Sequence, residues 1–416
     1  MKKRIIFHID VNSAYLSWEA VHRLQKGDDV DLREIPSVVG GNEETRHGIV
    51  LAKSVPAKKY DIKTGETLFS ARNKCPNLVV VPPNYTLYMQ CSSAMMEILK
   101  EYSPAIQRYS IDEVFLDYTH ITDHLGAPVE VAYKIRNRIK NHLGFTVNIG
   151  IGSNKLLAKM ASEFEKPNRV HTLFEDEIQE KMWPLPVEEL FFVGRATASK
   201  LKSRGIITIG ELAKTDVNYL QQFLKSHGLL IWNYANGRDN SSVRNEKPPM
   251  KGLGNSNTIA FDVTEEETVY QILLALSETL GMRIRNVEKC AYVVAISIKN
   301  HHLFSYSHQK KLDVPIDSTN MIYKHAKDLF NQAWKGEPIR HLGIYLSSLC
   351  SNDFCQLSLF TADESQNRKL DGAIDKIRLK YGSNSIIRSC FLNAGINPLM
   401  GGVISEEEYP MMSSLL

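Results

Sequence analysis

Residues 106–117 read IQRYSIDEVFLD, and this stretch decides the fold that the sequence predicts. Two apolar segments flank residues 110–113, of which three are polar, and this pattern predicts a β-hairpin with a bend at its centre. Neighbouring residues on a flat strand point to opposite faces, so Asp112 and Glu113 can reach one ion only where the chain bends. The hairpin is therefore the first candidate for a chemical site.

The elements around the hairpin predict an α+β unit. Apolar β-type runs cover residues 4–9, 77–81 and 146–151, and helical patterns cover residues 85–101 and 129–143. This order is typical of a ferredoxin-like sheet with helices packed on one face. In such a sheet the first strand lies beside the hairpin, which brings Asp10, at the end of the first run, close to Asp112 and Glu113. Gly150 and Gly152 precede another helical pattern and are interpreted as a tight strand-to-helix turn.

The rest of the chain predicts further domains. Residues 165–236 have helical patterns and short loops, which indicates a small helical domain. Residues 237–251 are polar, with four basic against two acidic residues, and predict an exposed linker. Strand and helix patterns over residues 252–350 indicate a second small α+β domain, and residues 368–381 have the pattern of an amphipathic helix.

The composition is that of an ordinary globular protein. The chain has 416 residues, of which 43% are hydrophobic and 23% charged, and this excludes disordered, collagen-like and disulfide-scaffold proteins. Its net charge of +3 is too small to indicate a nucleic-acid partner by itself. The six cysteines form no Cys-x-x-Cys pair, so we expect no zinc site and a reducing, cytoplasmic environment. No stretch approaches the ~20 apolar residues of a membrane span.

Asp10, Asp112 and Glu113 form the candidate catalytic cluster. Three carboxylates share one site only at a high electrostatic cost unless cations are bound. Oxygen ligands favour Mg²⁺ or Mn²⁺, and two such ions are suited to phosphoryl transfer. The alternative is structural: Asp10 ends a strand, Asp112 lies in a turn and Glu113 is solvated.

Basic residues are candidates for binding a triphosphate opposite such ions. They are Lys58, Lys59, Lys159 and Lys166. The alternative is that they are only solvated, as lysines on surface helices usually are. In the helical domain, residues 190–201 combine an apolar run, one glycine and basic residues. Val193, Gly194 and Arg195 would there offer backbone N–H groups to a phosphate, although a plain helix–helix turn explains the same pattern.

A short apolar segment follows the second α+β domain. It consists of Gln356, Leu357, Ser358, Leu359 and Phe360 and precedes a polar stretch. Apolar residues on an exposed segment with a leading glutamine indicate a docking peptide. The alternative is an edge strand that covers the core.

Several ordered motifs resemble one known family. They are IDVNSAYLSWE at residues 9–19, YSIDEVFLD at 109–117, VNIGIG at 147–152, NKLLAKMAS at 154–162 and KPN at 166–168. The chain resembles the Y-family translesion DNA polymerases over most of its length. It looks most like the branch of the bacterial polymerase V catalytic subunit, with the polymerase IV branch next.

The resemblance implies a multidomain α+β architecture. Its parts would be a ferredoxin-like palm, small fingers, a helix-hairpin-helix thumb and an α+β little finger. The corresponding bounds are residues 1–12 and 75–165 for the palm, 13–74 for the fingers, 166–236 for the thumb, 237–251 for a linker, 252–350 for the little finger and 351–416 for a clamp-binding peptide and C-terminal tail.

The resemblance also implies a role for residues near the first strand and the hairpin. Asp10, Asp112 and Glu113 would hold two Mg²⁺ ions, with the Val11 carbonyl completing one shell. Tyr15 would be the steric gate, its ring lying under the deoxyribose where a 2′-hydroxyl would clash.

Substrates and partners follow from the same resemblance. Lys58 and Lys166 would contact the incoming triphosphate, with Lys58 standing where many members carry arginine. Residues 356–360 resemble the peptide that docks such polymerases on the sliding clamp, the β subunit.

The implied function is low-fidelity DNA synthesis past damaged bases, on primer–template DNA with dNTPs. We expect a monomer, and the sequence leaves accessory subunits open. A nucleotide cyclase and a non-catalytic DNA-binding scaffold are the alternatives, and divalent-ion-dependent dNTP incorporation separates both from a polymerase.

Overall fold

A computed structural model describes residues 4–245, 249–352, 365–392 and 394–400. The predicted docking peptide, residues 356–360, lies outside these described residues. The strands are β1 (Ile6–Val11), β2 (Ser37–Gly40), β3 (Val50–Lys53), β4 (Val79–Val81), β5 (Ile106–Arg108), β6 (Glu113–Asp117), β7 (Val147–Gly152), β8 (Val170–Leu173), β9 (Gly252–Val263), β10 (Lys289–Asn300), β11 (Ser305–Ile316) and β12 (Ile339–Ser351). The helices are α1 (Ala14–Gln25), α2 (Val55–Lys58), α3 (Leu68–Lys74), α4 (Tyr85–Lys100), α5 (Thr122–Leu125), α6 (Pro128–Leu143), α7 (Lys155–Glu163), α8 (Arg195–Lys202), α9 (Ile209–Lys214), α10 (Val217–Leu224), α11 (Ser226–Ala235), α12 (Glu266–Asn286), α13 (Thr319–Ala333) and α14 (Ser365–Tyr381).

The first sheet has the strand order β5-β6-β1-β7-β8. Strand β1 is antiparallel to β6 on one side and to β7 on the other, which is the ferredoxin-like arrangement that the sequence predicts. Alternate side chains of β1, namely Phe7, Ile9 and Val11, pack in a core with residues of α4 and α6. Strand β8 pairs with β7, so the sheet extends past the predicted palm boundary at residue 165.

Helix α7 packs on the opposite face of this sheet, whereas the sequence predicted helices on one face only. Ile6 and Phe115 contact Ala158 of α7 there. Gly150 and Gly152 lie within β7 rather than in the predicted turn. A Cβ atom on Gly150 would lie 2.0 Å from the carbonyl oxygen of Ala158. The glycines therefore allow α7 to approach the strand that pairs with β1.

A smaller sheet with the order β3-β2-β4 follows α1. Strand β4 is parallel to β2, so it belongs to this sheet, although the predicted fingers end at residue 74. Helix α1 contributes to both units, because Trp18 packs in the core of the first sheet and Leu16 packs with the smaller one. Helix α1, which follows Asp10 in the chain, thus joins the two sheets.

The predicted helical domain contains α8, α9, α10 and α11. Buried leucines of this domain, among them Leu190, Leu201 and Leu212, share one core with Leu156 and Leu157 of α7. The helical domain is therefore packed directly onto the helix that covers the second face of the first sheet.

The first part of the predicted linker has several exposed side chains, among them Arg238, Asn240 and Arg244, but it is also hydrogen-bonded to the first sheet and to α7. The Asn154 side chain donates to the Gly237 carbonyl at 2.8 Å, and the Asn245 side chain accepts from the Ile106 N–H at 2.9 Å. Val243 is partly buried against the sheet. The Asn245 side chain thus satisfies a backbone group of the edge strand β5, a pairing that composition alone does not reveal.

The second α+β domain is a four-stranded sheet with the order β11-β10-β12-β9. Helices α12 and α13 contribute to the core on one of its faces. Helix α14 packs on α12 through ion pairs, with Arg378 to Glu278 at 2.6 Å and Arg285 to Asp375 at 2.6 Å. None of the helices in the described part of the chain is long and apolar enough to span a membrane.

Candidate active site

The site begins with two acids that face each other on neighbouring strands. Asp10 on β1 is the register partner of Glu113, the first residue of β6. Directly opposed residues of an antiparallel pair project from the same face of a sheet, here the face covered by α7. Asp10 is only 7% exposed. The sheet therefore brings together two of the three acids that the sequence selected.

The bend predicted between the two halves of the hairpin is present and is stabilised by Ser110. The Ser110 hydroxyl accepts from the Glu113 N–H at 3.0 Å and donates to Asp112 Oδ1 at 2.5 Å. The Val11 N–H donates to the Asp112 carbonyl at 3.1 Å. Asp112 therefore lies beside the end of β1, but its carboxylate is bound to its own turn.

Two lysines bind the acids on the α7 face. Lys166 Nζ lies 2.5 Å from Asp10 Oδ2 and 2.8 Å from Glu163. Lys159 Nζ lies 2.6 Å from Glu113 Oε1. Lys166, predicted to contact a triphosphate, is therefore at the site, and each of the paired acids has an ammonium partner.

Burial governs the protonation of the two aspartates. Together with the charge of Glu113, and against the opposing effect of Lys166, it raises the pKa of Asp10 to about 7. Burial also raises the pKa of Asp112. A bound cation would favour the ionised form of both aspartates.

The chemical type of the available ligand atoms fits a divalent cation. Asp10, Asp112 and Glu113 supply carboxylate oxygens, which are the ligands that Mg²⁺ and Mn²⁺ prefer. Lys166 and Lys159 supply the balancing positive charge here. Within the described residues, no three His, Cys, Asp or Glu side chains converge as a metal site in this conformation. Metal binding would therefore require the ammonium groups to move away and the carboxylates to turn.

Sequence reasoning missed His8, which is fully buried behind Glu113. The Ser162 hydroxyl donates to the Lys159 carbonyl at 2.7 Å, so it accepts from His8 Nδ1, which lies 2.8 Å away. His8 Nε2 lies 3.8 Å from Glu113 Oε2. Burial opposes ionisation of Glu113, but His8 and Lys159 more than offset it and hold the pKa of Glu113 at about 2. The signal available in the sequence was the alternation that places His8 and Asp10 on one face of β1.

Two buried asparagines hold the loop that carries Lys166, and the sequence reasoning did not give them this role. Asn148 donates to the Glu165 carbonyl at 2.7 Å and accepts from the Arg169 N–H at 3.1 Å. Asn12 accepts from the N–H of Asn168 at 2.9 Å. These bonds fix the backbone on both sides of Lys166 and so place its ammonium over the end of β1.

Tyr15 lies at the start of α1, directly after the strand that carries Asp10. Its ring is parallel to that of Tyr88, with centroids 4.6 Å apart and an interplanar angle of 8°. The Tyr85 ring meets it edge-on at 6.2 Å. The residue to which the resemblance assigned the steric gate is therefore part of an aromatic cluster.

Lys58 lies apart from the acids. It is the exposed last residue of α2, in the unit of the smaller sheet. The ion pairs among the described residues do not connect it to Asp10, Asp112 or Glu113. Of the two lysines predicted to contact the nucleotide, the structure brings only Lys166 to the carboxylates.

The predicted DNA contact lies at the start of α8. Gly194 and Arg195 are exposed there, whereas Val193 is buried. No side chain caps this helix N-terminus, and a Cβ on Gly194 would meet nothing within 4 Å. The geometry leaves room for a phosphate to approach the first N–H groups of the helix. Phe191, in the same turn, reaches the acid site, because Lys159 Nζ lies 5.2 Å from its ring centroid.

Comparison with known proteins identifies the family. The impB/mucB/samB family model matches residues 9–163, its C-terminal domain model matches residues 250–359, and the HHH motif model of the IMS family matches residues 175–206. A DNA polymerase IV of Clostridium acetobutylicum is 50% identical over 94% of this chain and 98% of its own length. The chain belongs to the impB/mucB/samB family of Y-family DNA polymerases. It is a DNA-directed DNA polymerase.

Further relatives agree with this membership. A DNA polymerase IV of Acetivibrio thermocellus is 38% identical over 95% of this chain and 99% of its own length. DNA polymerase IV 1 of Bacillus subtilis is 36% identical over 94% of each chain. These relatives bear the name of the branch that the sequence analysis placed second.

A solved structure confirms the fold. A Y-family DNA polymerase chimera superimposes with a TM-score of 0.72 at 23% identity, covering 84% of this chain and all of that one. The ferredoxin-like sheet, the smaller sheet, the helical domain and the C-terminal α+β domain thus correspond to palm, fingers, thumb and little finger. The match to the HHH motif confirms the helix-hairpin-helix predicted for the thumb.

Proposed function

We propose that this polymerase copies damaged templates by adding dNTPs to a primer at Asp10, Asp112 and Glu113. The observation that carries the proposal is the register pair of Asp10 and Glu113, two acids on one face of neighbouring strands, each bound by a lysine ammonium. Closely placed, largely buried acids are costly unless they bind cations. Membership in the Y family supports nucleotidyl transfer on primer–template DNA as the reaction.

The three acids would hold two divalent ions, with the Val11 carbonyl as a further ligand. We expect Mg²⁺, with Mn²⁺ as a substitute. When bound, such ions lower the pKa of the primer 3′-hydroxyl and neutralise the triphosphate and the leaving pyrophosphate. The protein fixes the oxygen ligands on β1 and on the bend before β6, so the reacting groups meet in a defined orientation.

Lys166 would exchange its carboxylate partner for phosphate oxygens when a nucleotide binds. Lys166 now neutralises Asp10 and Lys159 neutralises Glu113. A triphosphate would offer Lys166 phosphate oxygens in place of the carboxylate. Lys58 would approach the triphosphate from the fingers, although a lysine gives a point charge rather than the bidentate contact of arginine.

Sugar selection would belong to Tyr15. Tyr15 is in the first turn of α1, which follows the strand that carries Asp10, and a 2′-hydroxyl of a bound nucleotide would meet its ring. We expect low fidelity toward the base, because small fingers enclose the nascent base pair loosely.

DNA binding would involve the thumb and the little finger. Val193, Gly194 and Arg195 begin α8 and would present backbone N–H groups and one guanidinium to a phosphate. Contacts of this kind make the affinity depend on salt, with log K falling by ~0.9 per phosphate neutralised for each log unit of salt.

A sliding clamp would keep the polymerase on DNA. This part of the proposal comes from the sequence of residues 356–360 and from its resemblance to clamp-binding peptides. A tethered polymerase meets the primer end at a high effective concentration, which suits an enzyme that makes short products.

Primer extension tests the proposal. The wild type and Asp112→Asn would be compared on undamaged and abasic-site templates in Mg²⁺, with primer–template affinity measured for both. We expect short products and some bypass from the wild type, and loss of extension without loss of DNA binding in the variant. If the wild type binds DNA but extends no primer, even with clamp present, the non-catalytic scaffold is the better account.

A further inference from the structure

Glu19 is a buried acid that nucleotidyl transfer does not use. It lies on α1 and is 5% exposed. Its Oε1 accepts a hydrogen bond of 2.8 Å from the hydroxyl of Tyr88. A carboxylate withdrawn from water needs such partners to offset the lost hydration. The position of Tyr88 indicates what this arrangement achieves.

Tyr88 contacts two residues of α1 at once. It is fully buried on α4, and its ring lies flat against the Tyr15 ring, with centroids 4.6 Å apart and planes 8° apart. Tyr15 and Glu19 are one helical turn apart, so both face α4. The ring of Tyr88 therefore supports Tyr15, while its hydroxyl is anchored to Glu19.

We propose that Tyr88 and Glu19 are positioning residues that determine how strictly the polymerase rejects ribonucleotides. The inference rests on the assignment of Tyr15 as the steric gate under Proposed function. A ring excludes a 2′-hydroxyl only while it cannot tilt or withdraw. The parallel ring of Tyr88 blocks withdrawal of Tyr15, and the bond to Glu19 holds the hydroxyl end of Tyr88 in place.

The substitution Tyr88→Phe isolates the hydroxyl, since the ring and its packing stay. Without the bond to Glu19 the supporting ring is held by packing alone, so Tyr15 tilts more easily. We expect kcat/KM for rNTP to rise about tenfold and the dNTP/rNTP ratio to fall by a similar factor. A gain of ribonucleotide activity distinguishes this effect from damage that simply inactivates the palm.

The assay is single-nucleotide incorporation opposite one template base, with kcat and KM measured separately for dNTP and rNTP. Glu19→Ala should act like Tyr88→Phe, whereas Glu19→Gln keeps an acceptor for the Tyr88 hydroxyl and should retain discrimination. Tyr118→Phe is the matched control. Tyr118 is another fully buried tyrosine of the palm, and its hydroxyl donates to the Gly126 carbonyl at 3.0 Å.

Tyr15→Ala tests the steric-gate assignment separately from the positioning role of Tyr88 and Glu19. If Tyr15→Ala does not raise rNTP incorporation, the gate assignment fails, and the inference fails with it. If Tyr15→Ala raises it but Tyr88→Phe and Glu19→Ala leave the dNTP/rNTP ratio unchanged, the gate stands and the positioning role is overturned. An equal rise with Tyr118→Phe would also overturn it, because the effect would then be general loosening of the core.

Discussion

Gly150→Ala is the substitution that tests most sharply how helix α7 positions the active site. The new Cβ atom would lie 2.0 Å from the Ala158 carbonyl oxygen and 2.4 Å from the Ser162 nitrogen. Both are backbone atoms of α7, so no side chain can rotate away. The helix must therefore withdraw from β7 by roughly 1 Å.

The withdrawal would affect the site through two contacts. Lys159 and Ser162 are carried by α7, and they bind Glu113 at 2.6 Å and His8 at 2.8 Å. Overpacking of this kind destabilises a domain by about 2 kcal/mol. A displacement of ~1 Å in the groups that orient a reaction costs about 100-fold in rate. We therefore expect kcat/KM for dNTP incorporation to fall by about two orders of magnitude.

Two measurements check this prediction. Urea unfolding measures the stability of the variant, and single-nucleotide incorporation measures the activity of its folded form. Gly372→Ala is the control, because a Cβ on Gly372 in α14 would meet nothing within 4 Å. That control should be stabilised by up to ~1 kcal/mol through helix propensity and should keep its activity. A folded Gly150→Ala variant with wild-type kcat/KM would refute the claim that α7 positions the acids.

Three further predictions concern other parts of the chain. Lys58→Ala should raise KM for dNTP about tenfold while the Kd for primer–template changes little, and the reverse order in titrations would move Lys58 to the DNA surface. Alanine at positions 356, 359 and 360 should remove stimulation by the sliding clamp and spare clamp-free synthesis; stimulation that persists would contradict the docking assignment. Arg378→Leu should lower the unfolding free energy of the little finger by about 3 kcal/mol, because buried Glu278 loses a partner. Thermal unfolding measures this loss, and an equal effect of the exposed-site control Lys376→Leu would contradict it.

The sequence predicts well the first strand and the hairpin, which carry the three acids. The order of strands and helices predicts that the first strand lies beside the hairpin, and Asp10 does pair with Glu113. The polar break in the hairpin predicts the bend at which Asp112 lies. These inferences succeed because side-chain alternation and chain order are local properties that survive folding.

Features that depend on a distant partner could not be predicted in this way. The run at residues 79–81 has the pattern of any short strand, and nothing local shows that it pairs with β2 in the fingers. Gly150 and Gly152 suit a turn and a close helix–strand contact equally well. The anchoring of residues 237–245 depends on partners in distant segments, Asn154 and Ile106 among them, and the composition of the linker does not reveal them.

The contacts of Lys159 and Lys166 could not be predicted from a local sequence pattern either. A lysine on a helix is usually solvated, and only the tertiary structure shows that Lys159 and Lys166 face buried acids. His8 was missed for the same reason, since one histidine in an apolar strand is ordinarily part of the core. Burial and charge at a site come from several segments at once, so no single segment contains them.

Single-turnover dNTP incorporation by Asp10→Asn tests the central claim most directly. The assay would use a saturating amount of the variant on primer–template DNA in Mg²⁺, with DNA affinity measured in parallel. The account predicts DNA binding close to that of the wild type and a loss of incorporation of ~10³-fold or more, because an amide in place of the carboxylate weakens the charge stabilisation at the reacting phosphate. Incorporation at the wild-type rate would contradict the claim that Asp10 belongs to the catalytic centre.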